Sequence, residues 1–348
     1  MEVSGTLTST SAFDPLAGPK HPIFAPTAWM YQDISKAPLH ENSANYTTEF
    51  IAQMKNFYGH VGINYSQYTA PIYVVGDDVP EQYVAHRNNT GTFAVNPAMQ
   101  AHFVAVPIPD YAQVSVGTDR QMLIYRPTTD EFWELFNVKL QADLTEPPYD
   151  LPILDPAGKS VKWVARWGGH MTNASKNIGQ WTKPFGQMAS GIPVLAGIVL
   201  AHEMKTALAM PGYASLPHAI KVALSPWCAH WSLFSWPANR SDGNRPTSEP
   251  NRIRYGQRFR LNPALDLASY PNLHPMAKVM FKTFQKHGGI TADRGGLLTV
   301  AFENRQRWLA LGKPEPWAAM FAGKPTYDVF DGFPWSHLQW LPFNYGKP

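Results

Sequence analysis

The chain has 348 residues, 44% of them hydrophobic and 13% aromatic with 12 Trp, which is enough apolar surface for a packed interior and excludes intrinsic disorder. Its 29 basic and 26 acidic residues are interspersed and leave a net charge of +3, with no Lys/Arg block to follow a phosphate backbone, so nucleic acid is not expected as a partner. The single cysteine, Cys228, excludes an internal disulfide, and the longest nearly apolar run, residues 192–201, is roughly half of what a membrane span needs, so no membrane insertion is expected.

Residues 1–20 read as a polar Ser/Thr-rich arm ending in Gly18-Pro19, without the basic start and apolar stretch of a signal peptide. Tyr46, Phe50, Met54 and Phe57 recur at helical spacing and predict a helix over residues 43–58, stopped by Gly59. The chain then turns extended. Runs at 71–75, 102–106, 121–126 and 131–138 are rich in β-branched and aromatic residues and bounded by Pro, Gly and Asp, which predicts strands. Pro127-Thr-Thr-Asp130 is type I turn chemistry and joins the last two as a hairpin. Beyond a proline-rich loop at 146–156, further strands are expected at 161–167, 231–236, 258–261 and 297–302. Helical patches are expected at 199–210, 217–224, 275–287 and 316–322. With 32 Pro and 25 Gly spread along the chain, the pattern predicts a mainly β domain decorated with short helices.

The segment 131–138 carries the first chemical candidate. Alternation places Phe132, Glu134 and Phe136 on one face, and a carboxylate between two phenylalanines is desolvated, which raises its pKa and suits a general acid. The competing role is a structural glutamate paired with Arg120 or Arg126. Asp119 precedes the partner strand of the same hairpin and is the candidate for the second of two carboxylates, in the manner of a glycoside hydrolase or a uronate lyase, or else it only orders its turn. Trp163 and Trp167 lie four residues apart and are followed by His170 and Asn173; Trp236 has Arg240 and Asp242 nearby. Aromatic planes beside polar groups are a common way to hold sugars, and the alternative is that these tryptophans fill the core. His218 and Asp293 are secondary candidates at the ends of elements, where capping is the competing role.

Several chemistries fail on spacing. His202-Glu203 opens like a zinc-protease helix, but the position of the second histidine holds Thr206. No hydrolase elbow, phosphate loop or dinucleotide fingerprint is present, and neither a cofactor nor a metal is assigned to the scattered histidines His170, His202, His218 and His230.

Ten stretches in order resemble a broad family of uncharacterised secreted actinobacterial proteins: Ala28-Trp-Met-Tyr-Gln-Asp-Ile-Ser35, Ile72-Tyr-Val-Val75, Val106-Pro-Ile-Pro109, Gly117-Thr-Asp-Arg-Gln-Met122, Trp133-Glu-Leu-Phe136, Ser190-Gly-Ile-Pro-Val-Leu-Ala-Gly197, Pro217-His-Ala-Ile220, Trp236-Pro-Ala238, Arg258-Phe-Arg-Leu261 and Ile290-Thr-Ala-Asp293. The resemblance implies one β-sandwich of the lectin and glucanase jelly-roll type over residues 21–348, after the arm. Where relatives often carry a histidine soon after the aspartate matching Asp119, this chain has Gln121, which weakens an Asp/His pairing. The chain also resembles minor tail proteins of mycobacterial phages, and the missing signal fits a virion protein released by lysis. The expectation is therefore a phage tail or tail-tip protein, oligomeric with other tail proteins, that binds a host cell-envelope polysaccharide in the virion or extracellularly. The alternatives are a glycan hydrolase or lyase of the same fold and a purely structural tail subunit.

Overall fold

The computed structural model describes residues 14–87, 95–145, 151–225, 229–246 and 252–348. Cys228, the first thirteen residues of the expected arm and residues 146–150 of the proline-rich loop lie outside the described residues. The rest of the arm is packed: Ala17 accepts a hydrogen bond from Arg307 Nη1 at 2.8 Å.

The first half contains helix α1 (Ser43–Asn56), strands β1 (Gly62–Asn64), β2 (Ile72–Val74) and β3 (Val84–His86), and helix α2 (Pro97–Ala101). Strands β4 (Met122–Arg126), β5 (Glu131–Phe136), β6 (Lys139–Leu140), β7 (Trp163–Ala165) and β8 (Trp167–Met171) follow. Then come helix α3 (Ala201–Ala209), strands β9 (Ile220–Leu224) and β10 (Arg258–Leu261), and helix α4 (Pro275–Lys286). Strands β11 (Gly289–Arg294) and β12 (Thr299–Ala301), helices α5 (Gln306–Ala310) and α6 (Trp317–Phe321), and strand β13 (Leu338–Trp340) complete the described chain.

The fold is mostly β. The strands form a six-stranded sheet in the order β1-β12-β9-β11-β10-β13, a four-stranded sheet β2-β4-β5-β8 and a three-stranded sheet β3-β7-β6. Pairing is mixed: β1–β12, β9–β11, β2–β4 and β3–β7 are parallel, unlike the antiparallel pairing of a jelly roll. Among the described residues, no helix is long and apolar enough to cross a membrane.

The four-stranded sheet is apolar on both faces because both are covered. Ile72, Val74, Leu123, Tyr125 and Phe132 pack into the large core around the six-stranded sheet. Their alternates Tyr73, Ile124, Trp133 and Leu135 pack into a second core that also takes in Val84, Trp163 and Ala165 of the small sheet. The hairpin expected at 121–138 is present, with Asp130 donating its N–H to the Pro127 carbonyl at 3.3 Å.

Three expected elements differ. Residues 217–224 contain no helix, because Ile220, Val222 and Leu224 are buried in the sheet as alternating residues of β9 and tertiary pairing overrides local propensity. Residues 102–106 follow α2, capped by Asn96 Oδ1, and contribute Phe103 and Val106 to the second core from irregular backbone. Residues 231–236 are also irregular, with Trp231, Leu233 and Phe234 exposed.

Candidate functional site

The centre of β9 and β11 brings together two ionisable groups, Lys221 and Asp293. A bulge between Thr291 and Asp293 skips Ala292 and brings Asp293 opposite Ala223, in line with Lys221 two residues earlier on β9. Ala223 and Ala301 are small, so the sheet face dips there into a crevice of about 40 Å³ walled by Lys221, Asp293, Thr299, Asn64 and Gln121. That volume holds a few waters or one substituent of a ligand.

Lys221 is buried, and its Nζ donates to the Val194 carbonyl at 2.9 Å. Burial lowers its pKa, against the carboxylates of Glu134 and Asp293. Burial also pushes the Asp293 carboxyl up to about 7; the Arg294 backbone N–H and the Lys221 ammonium oppose the shift, and the carboxylates of Asp242 and Asp119 reinforce it. Asp293 is therefore divided between its acid and base forms near neutral pH while lining a crevice, which is the condition for a proton-transfer group. Asp119 is raised by burial and lies 3.4 Å from the Gln121 side-chain amide.

Glu134 occupies a different environment. It is fully buried. Its Oε2 accepts from Trp181 Nε1 at 3.0 Å and from the Gln187 backbone N–H at 3.1 Å, while Oε1 accepts from the Val194 N–H. Burial raises its pKa, as its apolar neighbours imply, and these donors together with Lys221 hold the shift back. The Trp181 indole fits because Gly186, at φ +87°, has no side chain; a Cβ there would lie 2.2 Å from Trp181 Cδ1. Glu134 thus holds the segment 181–194 onto the sheet, and it does so through Trp181 and two backbone amides rather than through Arg120 or Arg126. A carboxylate enclosed in this way does not face a ligand. Within the hairpin Glu134 is paired with Leu123, and Asp119 lies beyond the end of the ladder, so the two carboxylates do not face each other across it.

The aromatic candidates separate. Trp163 and Trp167 do not share a face: the chain changes sheets between them, and Trp163 is sealed in the second core. Trp236 is buried in the large core and offers no stacking plane to solvent. Trp167 is partly exposed and lines a cavity of about 370 Å³ with Phe136, Arg166, Gln187, Met188 and Arg240. Arg240 donates to the carbonyls of Pro184, Phe185, Gly186 and Met188 at 2.5–2.8 Å, so it fixes this wall and contributes its charge more than its hydrogens. His170 stacks on Trp133 at 4.3 Å and pairs with Glu131 at 3.0 Å. Asn173 is exposed in the left-handed conformation at a loop. Asp242 is exposed and accepts from the Tyr255 hydroxyl at 2.9 Å. His218 is buried against Glu203 at 3.1 Å, away from both cavities.

Three candidates therefore line two cavities that share Met188, Asp293 at the crevice and Trp167 and Arg240 at the larger cavity, while Asp119 and Asp242 line neither and act on Asp293 only through their charge. The sequence reading missed Lys221, although a lone lysine in Ala219-Ile-Lys-Val-Ala-Leu224 was the visible signal. Comparison of the chain with protein-family models, curated proteins and solved structures gave no match.

Proposed function

We propose that this chain binds an anionic cell-envelope polysaccharide, with the cavity beside Trp167 as its sugar subsite. The observation that carries this reading is the combination of Trp167 and Phe136 with Arg166 and Arg240, and no carboxylate, among the cavity's described lining residues. An aromatic plane suits the apolar face of a pyranose, and guanidinium groups suit a uronate carboxylate. The resemblance to secreted actinobacterial proteins and to phage minor tail proteins supports a virion setting among other tail proteins, with an extracellular protein as the alternative. The mostly β architecture is the part that a lectin- or glucanase-type sandwich would share.

The adjoining crevice favours a second reading, cleavage of the same polysaccharide. Here Asp293 takes the acid–base role first expected of Glu134; burial sets its raised pKa, tempered by the Arg294 N–H and Lys221 and reinforced by Asp242 and, least, Asp119. Titration with a polyuronate and with a neutral polysaccharide of similar length tests the binding reading. Preference for the polyuronate, reduced about 10-fold or more by Trp167→Ala and by Arg166→Ala, supports it; equal affinity for the neutral chain, or no loss in the folded variants, overturns it. For cleavage, wild type should release oligosaccharides and Asp293→Asn should not.

A further inference from the structure

A second cluster lies apart from both cavities. His21 in the N-terminal segment, Glu203 in the first turn of α3 and His218 just before β9 point their side chains at one another. His218 Nε2 is 3.1 Å from Glu203 Oε2, and His21 Nε2 is 3.7 Å from Glu203 Oε1. All three ligand atoms lie within 4.8 Å of one another, and the side chains are 0–8% exposed. A tetrahedral zinc-class ion with bonds of about 2.0–2.1 Å holds its ligand atoms roughly 3.3 Å apart, so the His218–Glu203 pair at 3.1 Å already has this spacing and the wider separations, within 4.8 Å, close by no more than about 1.5 Å.

The hydrogen bonding points the same way. His218 Nδ1 contacts the Ala219 carbonyl at 2.9 Å, and since a carbonyl only accepts, this nitrogen carries a hydrogen. The basic nitrogen of the ring is then Nε2, aimed at a carboxylate oxygen. Two lone pairs facing each other at that distance require a cation between them, either a proton or a metal. His21 Nδ1 is held by the Tyr31 hydroxyl at 2.8 Å, while its Nε2 is buried without a hydrogen-bond partner. An imidazole that gives its second N–H to a backbone carbonyl, as His218 does, is typical of metal ligands; at His21 the Tyr31 hydroxyl, which accepts the Ile23 and Phe24 N–H groups, donates to Nδ1 and has to turn its proton away for Nε2 to take a metal. His21 and Glu203 also line a cavity of about 280 Å³ with Thr206 and Ser215, so one coordination position would face open space.

We propose that His21, Glu203 and His218 bind a zinc-class divalent cation, with a remaining coordination position open to the cavity for water or a ligand oxygen. Two imidazoles and one carboxylate suit zinc and its transition-metal neighbours rather than calcium or magnesium. The site does not depend on the polysaccharide reading. Helical spacing from His202 led only to Thr206; the fold supplies the histidines from 182 residues before Glu203 and 15 residues after it.

The full chain, stripped with a chelator and dialysed, would be titrated with zinc chloride by calorimetry and with cobalt(II) by visible absorbance. The expected result is one ion per chain at micromolar or tighter affinity, with zinc raising the midpoint of thermal unfolding. His218→Ala and His21→Ala should each weaken binding by more than about 100-fold. Because His218 is fully buried and its loss puts folding itself at risk, His21→Ala is the deciding variant: it lies outside the sheets, and its circular dichroism reports folding directly. Absence of zinc binding by wild type, or undiminished binding by folded His21→Ala, overturns the site and leaves a proton-bridged pair at Glu203 and His218.

Discussion

The Trp181 indole N–H donates to Glu134 Oε2 at 3.0 Å, and the Val194 backbone joins the same carboxylate to Lys221, giving its N–H to Glu134 and its carbonyl to the ammonium. Glu134→Gln leaves one acceptor oxygen for three donors and removes the negative charge that compensates buried Lys221. The expected cost is about 2–4 kcal/mol of stability in denaturant unfolding. Combining Glu134→Gln with Lys221→Met should cost less than the sum of the two single changes, because the stranded ammonium is then gone. Strict additivity would show that the two groups do not interact.

How far the sequence carried is clearest at β9. Ile220, Val222 and Leu224 alternate with Lys221 and Ala223, a period of two that marks a strand, yet the alanines and lysine also suit a helix, and only pairing with β11 and β12 decides between them. The hairpin of β4 and β5 was legible because its turn residues and its alternation agree. The desolvation of Glu134 was legible from Phe132 and Phe136, but its role was not, since Trp181 and Val194, which enclose it, are 47 and 60 residues away in the chain. Asp293 entered as a minor candidate because a bulge, invisible in a single sequence, is what aligns it with Lys221.

Asp293 should leave a signature in the pH dependence of stability. Its folded pKa is raised from 3.8 to about 7, so its contribution is fully present below the unfolded value and is lost as pH rises through the folded one. Between about pH 4 and 7 the native state holds the extra proton, and this group makes stability fall with rising pH. Asp293→Asn removes that slope. Relative to wild type it should gain on the order of 1–2 kcal/mol between pH 4 and pH 8, after allowance for screening by solvent at a partly exposed carboxyl. Parallel stability curves for the two proteins across this range would contradict a raised pKa at this site.

The tryptophans provide a contrast within one short stretch. Trp163 is sealed in the second core, so Trp163→Ala should cost about 3–5 kcal/mol and leave any polyuronate affinity of the folded fraction intact. Trp167 keeps a free face on the larger cavity, and Trp167→Ala should cost about 1–2 kcal/mol while removing most of the affinity. Equal stability losses with equal affinities would assign both rings to packing alone.

The crevice can be closed without touching a charge. Ala223→Leu adds three carbons to a space of about 40 Å³ between Lys221 and Asp293 and should exclude whatever reaches Asp293. Because the added atoms enter open volume instead of a filled core, stability should change by no more than about 1 kcal/mol. Polyuronate affinity, which depends on the cavity beside Trp167, should stay within about twofold of wild type, a small fraction of a typical hot-spot loss. Oligosaccharide release, if Asp293 transfers the proton, should disappear, and Ala223→Ser, which barely enlarges the side chain, should retain it. Full product release by folded Ala223→Leu would separate the chemistry from the crevice and return Asp293 to a purely electrostatic part of the sheet.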